Sequence, residues 1–190
     1  AQLALTPSMC VNIFQGRGVV FCQAIREPDG QYCREYLMQD PILTESLLAY
    51  LDDGHACAVF RGTDATLVGW KEDFNMAFLP VIPSQADAAD YVTKLGEGFP
   101  GKLLLMGHSK GGNLAAYAGM FCDPEIQKRI ERVYPLDSPG FIGNTLESEE
   151  YGRIQSRVHK VIPKGSLIGM LLENHGAYSV VESNQMGIMQ

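Results

Sequence analysis

Residues 107–112 read Gly-His-Ser-Lys-Gly-Gly, between the apolar run 102–106 and the Ala-rich stretch 113–118. Gly-x-Ser-x-Gly between a buried strand and a helix is the setting in which a serine rides on a sharp strand-to-helix turn, the nucleophile elbow. So tight a turn crowds the positions two residues either side of Ser109. Gly107 and Gly111 carry no side chain to collide there, and Gly112 lets the helix lie close to the strand. The Ser109 hydroxyl is expected to stand clear of the sheet at a helix N-terminus, where N–H groups and the dipole favour negative charge. A chance Gly-x-Ser-x-Gly in a loop lacks the strand, the helix and the second glycine. A nucleophilic serine is therefore the reading that the rest of the chain has to fit.

The 190 residues suit one domain, 1–190, with truncation at its C-terminus left open; hydrophobic residues at 46% and charged residues at 19% suit a packed core. A formal net charge of −7 without a Lys/Arg cluster argues against nucleic acid as a partner, and weakly against docking on anionic membranes. No apolar stretch is long enough for a transmembrane segment, and the start of the chain lacks the basic region of a signal peptide. Cys10, Cys22, Cys33, Cys57 and Cys122 are scattered, without Cys-x-x-Cys spacing. They read as reduced core thiols of a cytoplasmic protein, and neither they nor the four histidines suggest a metal or other cofactor.

The pattern predicts a strand pair over 17–25 and 31–38 about a Pro-Asp-Gly turn, a short helix over 44–51, and a buried strand over 55–60. Residues 65–83 carry apolar side chains without a clean period. A helix over 85–96, the elbow strand 103–106 and the elbow helix 112–120 follow, then strands over 132–136, 157–163 and 177–181. This alternation implies an α/β fold with a mostly parallel central sheet covered by helices.

A serine hydroxyl needs a base to take its proton and an acid to orient that base. In hydrolases built on this kind of sheet the order along the chain is Ser, acid, His. Two histidines lie beyond Ser109: His159 inside an expected strand, where a structural role fits, and His175 in a loop before the last strand, which is favoured as base. His108 should point to the other side of the turn and pack. Asp137 ends the next strand on the rim shared by parallel strands, either as the acid or as the start of an Asp-Ser-Pro-Gly turn. Glu147, Glu149 and Glu150 read as a solvated stretch, and Asp123 as a helix cap. The oxyanion hole would combine the backbone N–H of Lys110 with Thr63, beside Gly62, each donor worth roughly 3 kcal/mol.

These residues resemble the class 3 (fungal-type) lipases. Phe60-Arg61-Gly62-Thr63-Asp64, Trp70 and Asp73 resemble that family's Phe-Arg-Gly-Ser/Thr…Trp…Asp block, 107–112 its Gly-His-Ser-Leu-Gly-Gly, and 133–144 its Gly-Ser-Pro-Arg-Val-Gly-Asn segment. The similarity covers about 60–181 and is greatest to a bacterial domain-of-unknown-function branch of that superfamily. It implies an α/β-hydrolase-like three-layer fold, Ser109 as nucleophile, Thr63 and the Lys110 N–H as oxyanion hole, His175 as base, and a lid over 65–80. The implied activity is serine esterase chemistry on a small-molecule acyl ester or lipid. Three departures stand out. Those lipases place the acid after the strand read here as 157–163, where this chain has Lys164-Gly165-Ser166; Asp137 would substitute. Lys110 replaces the usual Leu. The bacterial branch continues past a Gly-Ile-x-Gln end with a His-containing motif, so a base beyond Gln190 stays open. A degenerate relative that binds a lipid or partner without turnover is the competing reading.

Overall fold

The structure is a computed structural model and describes residues 46–50, 55–62, 71, 74–174, 176 and 178–182. Among the described residues, six strands form one sheet in chain order: β1 Ser46–Tyr50, β2 His55–Phe60, β3 Lys102–His108, β4 Ile130–Leu136, β5 Lys160–Pro163 and β6 Tyr178–Val181. β1 is antiparallel to β2, and β2 through β6 are all parallel. Among the described residues the connections include helices α1 Pro83–Gly98, α2 Lys110–Phe121, α3 Pro124–Arg129 and α4 Glu149–Ile154. The α/β assignment and the mostly parallel sheet of an α/β-hydrolase-like fold hold.

Parallel strands joined by right-handed crossovers and laid down in one direction send their helices to one face. Accordingly α2 packs against α1, α3 and α4 as well as against β2, β3 and β4. Strand β3 shows the consequence. Leu103, Leu105 and Gly107 face that layer and are buried, while Leu104, Met106 and His108 on the other face are half-buried. The core between sheet and helices includes Val59, Val92, Leu103, Leu105, Ala115, Met120, Val133 and Ile154. Cys57 and Cys122 are buried in the core, and burial pushes the Cys122 thiol up to about 12. Asp123 caps α3, accepting from the amides of Glu125 (2.8 Å) and Ile126 (3.3 Å), as read from its place before Pro124.

The sequence reading needs two corrections here. Ser46–Tyr50 is a strand and not part of a helix over 44–51; it pairs with β2 in the register Ser46↔Phe60 to Tyr50↔Ala56. Its Leu- and Ala-rich composition favours helix, but so short a segment gains more from the free edge of β2 than from a single helical turn. The strand expected over 157–163 begins at Lys160, because Gln155–Arg157 continues α4 as a 3-10 turn. The strand pair expected over 17–25 and 31–38 lies outside the described residues. Among the described residues, no helix is long and apolar enough to cross a membrane.

Candidate active site

The turn between β3 and α2 is as tight as the glycines imply. Ser109 is the N-cap of α2 at φ 55, ψ −127, a backbone region that a residue with a side chain occupies at a cost and that clusters at functional sites. A Cβ on Gly107 would lie 2.1 Å from the Gly111 carbonyl oxygen, and one on Gly111 would lie 2.1 Å from the Phe60 carbonyl oxygen. No side chain fits at either position. Gly62 passes so close that a Cβ there would meet the His108 carbonyl at 3.0 Å and the Ser109 Cβ at 3.5 Å. The chain leaving β2 therefore runs directly beside Ser109. Lys110, the residue after it, is buried.

Asp137 arrives next to Ser109 through the sheet register. His108 pairs with Leu136, and the Ser109 amide donates to the Leu136 carbonyl at 3.0 Å. The two residues just past the ends of β3 and β4 are thus Ser109 and Asp137, on one rim. Asp137 is also left-handed, with φ 42, and only 4% exposed. Its amide donates to Val161 (2.8 Å), and its Oδ1 accepts from the Gly169 amide (2.9 Å) and from the Ser166 hydroxyl. The Asp-turn alternative does not describe it, since the Gly140 amide donates to Leu171 at 2.8 Å instead.

Lys160 joins this cluster. Its Nζ donates to the Gly169 carbonyl at 2.9 Å and to Asn174 Oδ1. Burial pushes its ammonium down to about 8, against the opposing pull of the Asp137 charge. Burial likewise lowers the His108 imidazole from its ordinary value, while the Asp137 charge acts the other way. His159 is exposed, with Nε2 3.2 Å from the Ser179 hydroxyl and its ring edge-on to Tyr134. Glu149 and Glu150 pair with Arg153 on the surface of α4.

Of the five residues singled out from sequence, Ser109, Lys110 and Asp137 are brought to one rim; Thr63 and His175 lie outside the described residues. Of the lid stretch, Phe74 and Phe78 are exposed (66% and 78%) and Met76 is in the core, while Leu67 and Trp70 lie outside the described residues. Ser166, Gly169 and Lys160 were not anticipated. The clue was the missing carboxylate in 164–166: where the resemblance places an acid, this chain supplies donors to Asp137. Among the described residues, no group of three or more His, Cys, Asp or Glu could hold a metal ion. A cavity of about 500 Å³ lies behind the loop after Asp137, walled by Ala116, Phe141, Leu146, Val158, His159 and Lys160 among others. Ser109 is not in its wall, so the strained turn and not the cavity marks where chemistry would occur.

The lipase from Rhizopus microsporus var. chinensis is similar in structure, with a TM-score of 0.53 at 18% identity over 94% of this chain and 76% of that one. The likeness extends to the fold alone. A Rhizomucor miehei lipase, solved as a propeptide complex, aligns less closely, at a TM-score of 0.44 and 17% identity over 66% of this chain and 47% of its own. No curated protein matches the sequence significantly. A family model described as Mbeg1-like matches residues 44–190, and by that match the chain belongs to the Mbeg1-like family.

Proposed function

We propose that the chain is a serine esterase that cleaves carboxylic esters of apolar acyl substrates, lipids included, through an acyl-enzyme. The observation that carries this is the backbone of Ser109, at φ 55 and ψ −127 on the turn between a parallel strand and a helix. Strain of that kind persists only where the surroundings impose it, and here it lifts one hydroxyl to the rim where Asp137 is also held.

In the proposed reaction His175 takes the Ser109 proton as Oγ attacks the ester carbonyl. The carbonyl oxygen becomes an oxyanion held by the Lys110 and Thr63 amides. Collapse breaks the ester C–O bond, and the proton on His175 goes to the departing alcohol. Water, giving a proton to the same imidazole, then attacks the acyl carbonyl; the bond from the acyl carbon to Ser109 Oγ breaks, the acid leaves, and the proton returns from His175 to Ser109 Oγ. Asp137 would fix the His175 tautomer and offset the charge of the imidazolium. Two bonds to Oδ1 hold the carboxyl in place, and among the described residues Oδ2 takes none. The exposed Phe74, Phe78, Leu79 and Val81, which follow the stretch after Gly62, suit an apolar substrate.

Labelling with a fluorophosphonate tests the reading. The expected outcome is covalent modification at Ser109, absent in Ser109→Ala, together with loss of short p-nitrophenyl ester hydrolysis. A folded wild-type protein that is not labelled would instead support the competing role, a lipid- or partner-binding protein without turnover.

A further inference from the structure

Gln85 and Asn113 are polar side chains in the core, 4% and 1% exposed. They form a directed chain of hydrogen bonds. Gln85 Oε1 accepts from the Ile82 amide at 3.0 Å, Gln85 Nε2 donates to Asn113 Oδ1 at 2.7 Å, and Asn113 Nδ2 donates to the Gly140 carbonyl at 2.6 Å. A weaker contact of 3.5 Å reaches the Pro139 carbonyl. A backbone amide can only donate and a carbonyl can only accept, so the two ends fix the orientation of both side-chain amides.

What lies at each end gives the chain its meaning. Asn113 is in the first turn of α2, and its own amide is 3.4 Å from the Ser109 carbonyl oxygen. Gly140 is where segment 171–173 attaches. Its amide donates to Leu171 at 2.8 Å, and the next residue, Phe141, exchanges backbone bonds with Glu173 at 3.0 and 2.9 Å. The contact has no slack, since a Cβ on Gly140 would lie 1.8 Å from the Glu173 carbonyl oxygen. Segment 171–173 leads, two residues on, to His175.

We infer that Asn113 is a positioning residue: through Gly140 it sets the spacing between Ser109 and the segment that carries the base, and Gln85 holds its amide in the working orientation. The inference rests on the proposed roles of Ser109 and His175. Asn113 touches no reacting atom. Its leverage is geometric, because a displacement of about 1 Å between reacting groups costs on the order of 100-fold in rate.

The test compares Asn113→Leu and Gln85→Leu with Val92→Ala, a core variant in α1 that loses stability without touching the chain of bonds. Two quantities are read: the rate of fluorophosphonate labelling, and hydrogen exchange at the Gly140, Phe141 and Glu173 amides. Both Leu variants should label about 30- to 100-fold more slowly, with those three amides exchanging about tenfold faster or more. Val92→Ala should leave both readouts within about threefold of wild type. Labelling no slower than in Val92→Ala, or unchanged exchange at the three amides, overturns the inference. If the wild-type protein is not labelled at all, the esterase reading fails separately, and exchange alone decides whether Asn113 holds the segment. If Asn113→Leu does not fold, Gln85→Leu decides both readouts.

Discussion

The Gly169 amide donates to Asp137 Oδ1 at 2.9 Å, a bond between residues 32 positions apart that closes the loop after β5 onto the end of β4. Ser166 donates to the same oxygen and lies within 2.9 Å of the same amide, so the three groups form a closed ring. Asp137 is held as an acceptor and not left as a surface turn residue. This bears directly on what each substitution there should do.

Asp137→Asn keeps an oxygen for Gly169 and Ser166 but removes the charge. The variant should fold with little change in Tm and lose ester hydrolysis by roughly 10⁴-fold, the effect of a wrongly oriented imidazole. Asp137→Ala should lose the same activity and, in addition, about 1–3 kcal/mol of stability in urea unfolding, because buried donors are left without an acceptor. Full activity in Asp137→Asn would remove Asp137 from the triad.

Two glycine substitutions should move stability in opposite directions. A methyl on Gly107 would fall 2.1 Å from the Gly111 oxygen and 2.2 Å from the Gly111 carbonyl carbon, both backbone atoms that cannot turn aside. Gly107→Ala should cost about 3 kcal/mol or fail to fold. A methyl on Gly152, in α4, meets nothing within 4 Å. Gly152→Ala should gain about 0.5–1 kcal/mol by helix propensity. Midpoints of denaturant unfolding distinguish the two.

Lys160 gives a pH signature. Its folded-state value of about 8 lies below the ordinary 10.5 because burial disfavours the ammonium. Between those values the unfolded chain holds a proton that the folded chain has released, so rising pH favours the folded state. The contribution is fully present above 10.5 and is lost as the pH falls through about 8. Wild type should therefore gain stability relative to Lys160→Met as the pH is raised across that window, read as the difference in Tm at each pH. A difference that is flat or falls with pH would contradict the assignment.

Much of this architecture is legible in the chain itself. Short apolar runs mark β2, β3 and β4, the stretch after Pro83 marks α1, and Gly107, Ser109 and Gly111 mark the turn. Each of these signals is local, written in periodicity or in the volume available at one backbone position. The segment Ser46–Tyr50 shows the limit of such signals: its composition favours a helix, and only the open edge of β2 makes it a strand.

What the sequence alone determined is the α/β class, the strained serine and the strand end that delivers Asp137. Tertiary structure decided what grips that carboxylate and what ties the elbow helix to the segment before His175. Ser166, Gly169, Lys160, Gln85 and Asn113 act across 27 to 32 residues or along loops with no period of their own. A hydrogen bond of that reach depends on where two strands end relative to each other. That relation is set by the register of the sheet and the packing of α2 beneath it, which no local pattern of residues encodes.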